Sequence, residues 1–272
     1  MMSPMDQEIR YDDALAQGAT IYPGVRIGRP GRARTYWLTV TLLRALRIKV
    51  AIDFDGGQNV AAGPALLVGN HLSTLDPIVA VMSTWWRITA FTKAEWFEGR
   101  SAVFFRWMGQ IPLRRGDEVS TEWALDMASR TLADGNKVGI YPEGTRGPDS
   151  SKLYRLHQRV LVSLILSNPD VPVHAIVTTY TDGSRRKHAR MRISERLLID
   201  PRTMSGDEMT VIIRNRIAEI GHLDYVDQYA VVVKARAERD ARKAAESAAA
   251  SETVQETGGV PVTETAPETE TR

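Results

Sequence analysis

One histidine and one aspartate lie five residues apart in the stretch NHLSTLDP, residues 70–77. His71 and Asp76 come after the apolar run PALLVG (64–69) and before a proline, where a predicted strand ends and a predicted helix begins. A neutral imidazole, whose ordinary pKa is about 6.5, can take a proton from an alcohol when a carboxylate fixes its tautomer. The pair could therefore serve as a general base.

Other interpretations of the same residues remain open. Asp76 before Pro77 is a good helix start, with the aspartate at the cap and the proline at the first helical position. A single histidine is more often structural than catalytic. Ser73 could be a nucleophile, but the chain has no Gly-x-Ser-x-Gly sequence, and neighbours in one loop rarely achieve the geometry of a base and its nucleophile.

Charged residues follow two other predicted strands in the same way. RRGD (114–117) follows QIPL, and PEGTRG (142–147) follows KVGIY. Ligands of open α/β sheets bind beyond the carboxyl ends of the strands, so the three loops should form one site. Guanidinium groups bind phosphate through paired hydrogen bonds, which indicates a phosphate-bearing substrate. Taken alone, Arg114 and Arg115 could be solvated surface charge, and PEGTRG could be a simple turn.

Metal and nucleic-acid chemistry are not favoured. The chain has no cysteine, and His157, His174, His188 and His222 are scattered without ligand spacing, so no metal site is expected. The basic stretch SRRKHARMR (184–192) lacks interleaved aromatic residues, which favours a solvated hairpin or a membrane-facing rim. We therefore expect no nucleic acid partner.

The net charge of the whole chain is +2, but residues 1–250 are more basic than this value indicates. The last 22 residues carry five Glu and one Arg, so the other 250 residues hold a net charge of +6. Such a surplus suits an anionic partner, whether nucleic acid, a membrane surface or a phosphorylated substrate.

Short apolar runs alternate with helical patterns from residue 64 onward, which predicts an α/β fold with a mixed, largely parallel sheet flanked by helices. Asp117 should cap the helix at 118–134, and Gly135 should end it. The predicted strands are 65–69, 87–92, 110–113, 137–141, 171–180 and 189–199, and the other predicted helices follow Pro77 or lie near 94–107, 152–166 and 206–220.

An N-terminal amphipathic helical segment is predicted just before this alternation. Residues 26–34 contain four arginines, and Tyr36, Trp37 and Leu38 begin an apolar set. A helix of this kind can lie in a membrane interface or can pack on the core of its own domain. The longest apolar candidate, 35–43, is about half the length that a bilayer requires, and the acidic N-terminus does not resemble a secretory signal.

Three motifs in this order resemble those of the glycerolipid acyltransferases, a family that includes the lysophosphatidic acid acyltransferases. The first is Asn70-His71 to Asp76-Pro77, the second is GQIPLRRG (109–116), and the third is YPEGTRG (141–147). The similarity covers about residues 60–200. Arg114 replaces the usual aspartate of the second motif, and Ala175 replaces the second proline of a V-P-V-x-P-V segment. The lysine-glycine pair that is typical of the helix near 153–164 is also missing.

The resemblance implies a fatty acyl transfer from acyl-CoA or an acyl carrier protein to a lysophospholipid acceptor, 1-acylglycerol-3-phosphate, giving phosphatidic acid without a bound cofactor. His71 would deprotonate the acceptor hydroxyl and Asp76 would orient His71. The implied substrate-binding residues are Lys93, Arg114, Arg115, Glu143, Gly144, Thr145 and Arg146. The resemblance also favours a membrane surface as partner, and a peripheral position on the cytoplasmic face.

The corresponding organisation has five parts. Residues 1–31 form an N-terminal extension, 32–50 a membrane-facing segment, 51–222 the catalytic domain, 223–250 a charged helical arm, and 251–272 a disordered acidic tail. Three other functions remain possible: acyl transfer to a different lysolipid or a glycolipid, lipid binding without catalysis, and hydrolysis by His71.

Overall fold

The computed structural model describes residues 4–45, 50–182 and 187–257. The strands are β1 (Val50–Asp55), β2 (Ala65–Gly69), β3 (Ile88–Lys93), β4 (Ile111–Leu113), β5 (Lys137–Ile140), β6 (Lys152–Tyr154), β7 (Val173–Asp182), β8 (Lys187–Arg196) and β9 (Asp224–Val226). Seven strands form one sheet in the order β1-β8-β7-β2-β5-β3-β4, and β6 pairs with β9. All neighbours are parallel except β7 and β8. The predicted mixed, largely parallel sheet is confirmed.

Helices cover both faces of the sheet. They are α1 (Pro4–Ile21), α2 (Ala33–Ala45), α3 (Asp76–Ser83), α4 (Ala102–Trp107), α5 (Glu118–Ala133), α6 (Gln158–Ser167), α7 (Gly206–Gly221) and α8 (Ala230–Thr257). Alternate residues of β2 enter two cores, because successive side chains of a strand point to opposite faces. Leu66 and Val68 pack with α1, α5, α6 and α7, whereas Ala65 and Leu67 pack with α2 and α3.

The N-terminal helix α1 is part of the first core. Tyr11 and Ala14 are buried, and the indole Nε1 of Trp123 on α5 donates to the Ala14 carbonyl at 2.7 Å. Residues 1–31 are predicted only as an extension, because their apolar positions are sparse. Trp123, which contacts Ala14, lies more than a hundred residues away along the chain.

Two predicted helices are wrong in part. Residues 94–101 form 3-10 turns rather than the start of a helix at 94, and α4 begins at Ala102, because Gly99 adopts a left-handed φ of 66° that interrupts the helix. Residues 152–154 form β6 instead of a helical turn, because they pair with β9, which is distant in sequence. The predicted cap of α5 is confirmed, since the Asp117 carboxylate accepts from the Ser120 N–H.

The C-terminal helix α8 belongs largely to a second unit, Val232–Arg272. Three i,i+4 ion pairs lie along it: Lys234–Glu238, Arg236–Asp240 and Arg242–Glu246. The helix continues past the predicted end at residue 250 to Thr257, since no glycine or proline interrupts the sequence before Gly258. Residues 258–272 of the predicted disordered tail lie outside the described residues.

Candidate active site

The sequence-predicted residues lie at one edge of the sheet. β7, β2, β5, β3 and β4 are parallel to one another, so their carboxyl ends meet at this edge. The His71 loop follows β2, Lys93 ends β3, the RRGD loop follows β4 and PEGTRG follows β5. The Gly147 N–H donates to the His71 carbonyl at 2.8 Å, which joins the first and third loops directly.

His71 and Asp76 form a hydrogen-bonded pair. The distance between His71 Nδ1 and Asp76 Oδ2 is 2.8 Å, and the Asp76 side chain is fully buried whereas that of His71 is 21% exposed. Because Nδ1 donates to the carboxylate, the neutral ring presents Nε2 as a lone-pair acceptor. This is the tautomer that a general base requires.

Asp76 does not cap α3, so that interpretation of the sequence is wrong. The cap residue is Leu75, and no side chain accepts a hydrogen bond from the start of the helix. The Asp76 carboxylate turns back toward its own loop, where Oδ2 accepts from the N–H groups of Leu72 and Ser73 at 2.8 and 2.9 Å. These donors fix the carboxylate against the imidazole. Asp76 itself is the first residue of the helix, and Pro77 is the second residue instead of the predicted first.

Tyr180 completes the surroundings of Asp76. Its hydroxyl donates to Asp76 Oδ1 at 2.6 Å from β7, and burial together with the neighbouring carboxylate raises the pKa of Tyr180, so the hydroxyl stays protonated. The Asp76 carboxylate thus receives donors on both oxygens, which suits the acceptor-only ionised form. No motif signals Tyr180, which is 104 residues from Asp76.

Asn70 fixes the start of the same loop. Its side-chain amide donates to the Thr178 carbonyl at 3.0 Å and accepts from the Thr178 N–H at 2.9 Å. This reciprocal pair continues the β2–β7 ladder by one residue beyond the end of β2. The asparagine of the first motif therefore holds the histidine loop to the strand that carries Tyr180.

Glu143 joins three segments of backbone. Oε1 accepts from the His71 N–H at 2.7 Å, and Oε2 accepts from the Tyr154 N–H at 3.1 Å. The side chain is fully buried, and burial raises the pKa of Glu143 to about 7 against the opposing effect of the two N–H donors. Glu143 thus contacts main-chain groups in the interior, and its contacts are those of a positioning residue.

The basic side chains differ in their surroundings. Arg114 pairs with Asp117 at 3.1 Å and lies over the Tyr22 ring, and Lys93 pairs with Glu95 at 3.1 Å. Arg115 and Arg146 are exposed, and neither has an ion-pair partner among the described residues. The two unpaired guanidinium groups are therefore the cations most available to an anion at this edge.

The third loop is shaped by aromatic and imidazole contacts. Tyr141 stacks on the His71 ring with centroids 4.9 Å apart. Gly144 has a φ of 69°, and a Cβ there would lie 2.8 Å from Cδ2 of His157, so both backbone and space require glycine. Thr145 is half-buried between Gly144 and the exposed Arg146.

His157 is not among the residues predicted for the site. Its ring stacks on Tyr229 with centroids 4.4 Å apart, and burial and the nearby Arg115 lower the pKa of His157.

The Ser73 hydroxyl accepts from the Leu75 N–H and has no hydrogen bond to His71, so the serine nucleophile is not supported. No group of potential metal ligands occurs in the part of the chain that the structure describes.

Residues 51–178, which contain every loop of this site, match the protein family described as Acyltransferase. This segment, which is slightly less than half of the chain, is similar to acyltransferases. The resemblance to glycerolipid acyltransferases predicted from the three motifs is thereby confirmed, and the match supports O-acyl transfer as the reaction class. No protein in a comparison with curated sequences matches.

A solved acyltransferase has a similar fold. The crystal structure of PlsC, the 1-acyl-sn-glycerophosphate acyltransferase of Thermotoga maritima, matches with a TM-score of 0.56 and 17% sequence identity. The match covers 79% of this chain and 96% of PlsC. At this identity the likeness establishes the shared fold.

Ala175, which replaces the second proline of the V-P-V-x-P-V segment, lies in the core of the segment that matches the acyltransferase model. Ala175 is fully buried in β7, and its N–H donates to the Ser194 hydroxyl of β8 at 2.9 Å. A proline could not make this bond, because it lacks the N–H group. The alanine is therefore accommodated by the β7–β8 pair.

Proposed function

We propose that the protein transfers a fatty acyl group from acyl-CoA or an acyl carrier protein to the free hydroxyl of 1-acylglycerol-3-phosphate, giving phosphatidic acid. The observation that carries the proposal is the 2.8 Å contact of His71 Nδ1 with a buried carboxylate, at a sheet edge where two other loops each bear an unpaired arginine. This combination provides a base for an alcohol and cations for a phosphate.

The reaction follows from the tautomer of His71. Nε2 accepts the proton of the acceptor hydroxyl as the hydroxyl oxygen forms a bond to the thioester carbonyl carbon. The carbon–sulfur bond then breaks, and the departing sulfur takes the proton back from the imidazolium. Asp76 stays ionised and stabilises the positive ring while it exists.

The acceptor phosphate would bind Arg115 and Arg146. Both guanidinium groups are exposed at the edge where the His71 loop ends, and each can present two parallel N–H donors to a phosphate. Lys93 and Arg114 already have the carboxylates of Glu95 and Asp117 as partners. We therefore assign Lys93 and Arg114 a smaller part in substrate binding than the resemblance implies.

The proposal includes peripheral attachment to the cytoplasmic face of a membrane through α2. Leu38 and Leu42 lie one turn apart on this helix and are 58% and 52% exposed, and Trp85 beside it is 74% exposed. Trp85 contacts Trp37 and lies under the Arg44 guanidinium, which combines apolar area with a cation. Among the described residues, no helix combines the length and apolar character needed to cross a bilayer.

A different lysolipid or a glycolipid acceptor is the second candidate. Arg114, where the family usually has aspartate, favours it, because the second loop lacks the carboxylate that the motif places at this position. An assay of purified protein with labelled acyl-CoA, labelled acyl carrier protein and a panel of lysolipids separates the two candidates. Turnover with 1-acylglycerol-3-phosphate supports the main proposal, and turnover confined to another acceptor refutes it.

A further inference from the structure

A second cleft lies away from the His71 loop. Its volume is about 340 Å³, and its walls come from α1, the segment before α2, the first turn of α2 and the end of α4. A cavity of several hundred Å³ is in the range that binds small molecules. None of the residues assigned to acyl transfer lines it.

The cleft lies at the opposite edge of the sheet from the active site. The Arg87 guanidinium donates to the Gly31 carbonyl, and Gly31 also packs against Asn136. Arg87 precedes β3 and Asn136 precedes β5, whereas the catalytic loops follow the carboxyl ends of these strands. At about 3.3 Å per residue, the six-residue β3 alone separates the two edges by roughly 20 Å.

The cleft has an excess of positive charge. Arg29, Arg32 and Arg106 line it together with one carboxylate, Asp12. Arg29 lies over the Tyr11 ring, with 4.8 Å between the guanidinium carbon and the centroid. Within the described ranges, Arg32 and Arg106 have no ion-pair partner. Two guanidinium groups without an ion-pair partner at one cavity can each donate paired hydrogen bonds to a phosphate.

The remaining walls suit a ligand that is only partly polar. Leu15, Ile27 and Trp107 supply apolar surface. Thr35, in the first turn of α2, also lines the cleft, so the positive end of this helix dipole lies beside the arginines. Leu38 is one turn further along α2 and belongs to the exposed apolar surface described above.

We propose that this cleft binds a phosphate ester, and that the source is the headgroup of an anionic membrane phospholipid. The arginines would hold the phosphate, the apolar wall would contact the glycerol and the first carbons of the chains, and α2 would lie in the interface beside them. The site takes no part in acyl transfer. The inference depends on the membrane attachment proposed above and is independent of the His71 chemistry.

The test removes the two unpaired cations together, in the full-length variant Arg32→Gln/Arg106→Gln. A matched control, Arg214→Gln/Arg216→Gln, removes the same charge from the surface of α7. Binding is measured by co-sedimentation with vesicles of phosphatidylcholine, with and without phosphatidylglycerol. A calorimetric titration with sn-glycerol 3-phosphate tests the free phosphate ester.

We expect the cleft variant to lose at least about tenfold in affinity for the anionic vesicles, while the control retains the wild-type preference. If the cleft variant loses only the calorimetric signal with glycerol 3-phosphate, the phosphate site is supported and its source is a soluble ester. Equal losses in both variants would assign the preference to net charge and overturn the site. Unchanged binding in both measurements would overturn it as well.

The outcome is separable from that of the acyl-transfer proposal. Turnover with detergent-dispersed lysolipid should be the same in the cleft variant and in the wild type, which also shows that the variant is folded. A cleft variant that loses turnover in detergent would contradict a site separate from catalysis. A wild-type protein that binds anionic vesicles but transfers no acyl group would refute the acyl-transfer proposal. The proposal of a phosphate site in the cleft would not be affected.

Discussion

At the scale of single residues, the environment of Asp76 determines what His71 can do. Two backbone N–H groups and the imidazole occupy Oδ2, and the Tyr180 hydroxyl occupies Oδ1. The carboxylate therefore has no freedom to rotate away from the ring. Tyr180 of β7, which none of the motifs contains, is part of this arrangement.

Tyr180→Phe should lower kcat by about tenfold while leaving the KM for the acceptor nearly unchanged. The change removes one hydrogen bond to a charged group, worth about 1.5 kcal/mol, from a residue that does not touch substrate. The measurement is a kcat-against-pH profile, in which the acidic limb should also move. Tyr225→Phe, which removes an exposed hydroxyl bonded to Asp227, is the matched control and should behave as wild type. Equal kcat values and profiles for the two variants would exclude Tyr180 from the mechanism.

The spacing of His71 and Asp76 predicts their pairing, because both residues lie in one short loop. Tyr180 and the Thr178 contact of Asn70 are not predictable in this way. Each bond joins residues more than a hundred positions apart, and only the placement of β7 beside β2 brings them together. Arg114 is the opposite case. Its position in the second motif predicts a part in substrate binding, whereas its guanidinium is paired with Asp117 in the structure.

At the scale of elements, Glu143 connects the loop after β2, the loop after β5 and strand β6. The predicted strand–loop pattern locates this residue correctly at the edge of the sheet. It does not predict that the carboxylate points inward to the N–H groups of His71 and Tyr154. Strands β1, β6 and β9 are also missed, because short strands are defined by the partners with which they pair. β9 lies within the predicted helical arm 223–250.

The raised pKa of Glu143 predicts a pH dependence of stability. The ordinary pKa is 4.5 and that of the folded protein is about 7, so folding takes up a proton between these values. The free energy of unfolding should therefore fall as the pH rises from 4.5 to 7 and change little above, by up to about 3 kcal/mol in total.

Glu143→Gln, which is neutral at every pH, should lack this contribution. Urea unfolding at several pH values measures the difference between wild type and variant. Glu219→Gln, on the exposed surface of α7, serves as the control and should follow the wild-type curve. A Glu143→Gln curve parallel to that of wild type from pH 4.5 to 7 would rule out the protonation of Glu143 on folding.

At the scale of the whole molecule, the loops of the candidate site and the apolar surface of α2 belong to the same compact unit. α2 packs on α3, which begins at Asp76. The alternating pattern predicts the layers of this body, and the N-terminal aromatic pattern predicts α2. The burial of α1 against α5 is not predictable, because its apolar residues are few and their partner is remote.

Leu38→Asp/Leu42→Asp should lower the partition coefficient onto lipid vesicles by at least about tenfold. The two changes remove apolar area and add charge at the surface that would enter the interface. Leu166→Asp/Leu198→Asp is the control, because these leucines are 51% and 86% exposed elsewhere on the molecule. Co-sedimentation compares the two. Equal partitioning of both variants would place the membrane contact outside α2.

The central claim is that the His71 imidazole, held by Asp76, takes the proton of the acceptor hydroxyl. The direct test is the turnover of His71→Ala with labelled acyl donor and lysolipid acceptor, beside the melting temperature and lipid binding of the same preparation. Turnover should fall by at least about a hundredfold, with melting temperature and lipid binding nearly unchanged. Turnover equal to that of the wild type would contradict the claim.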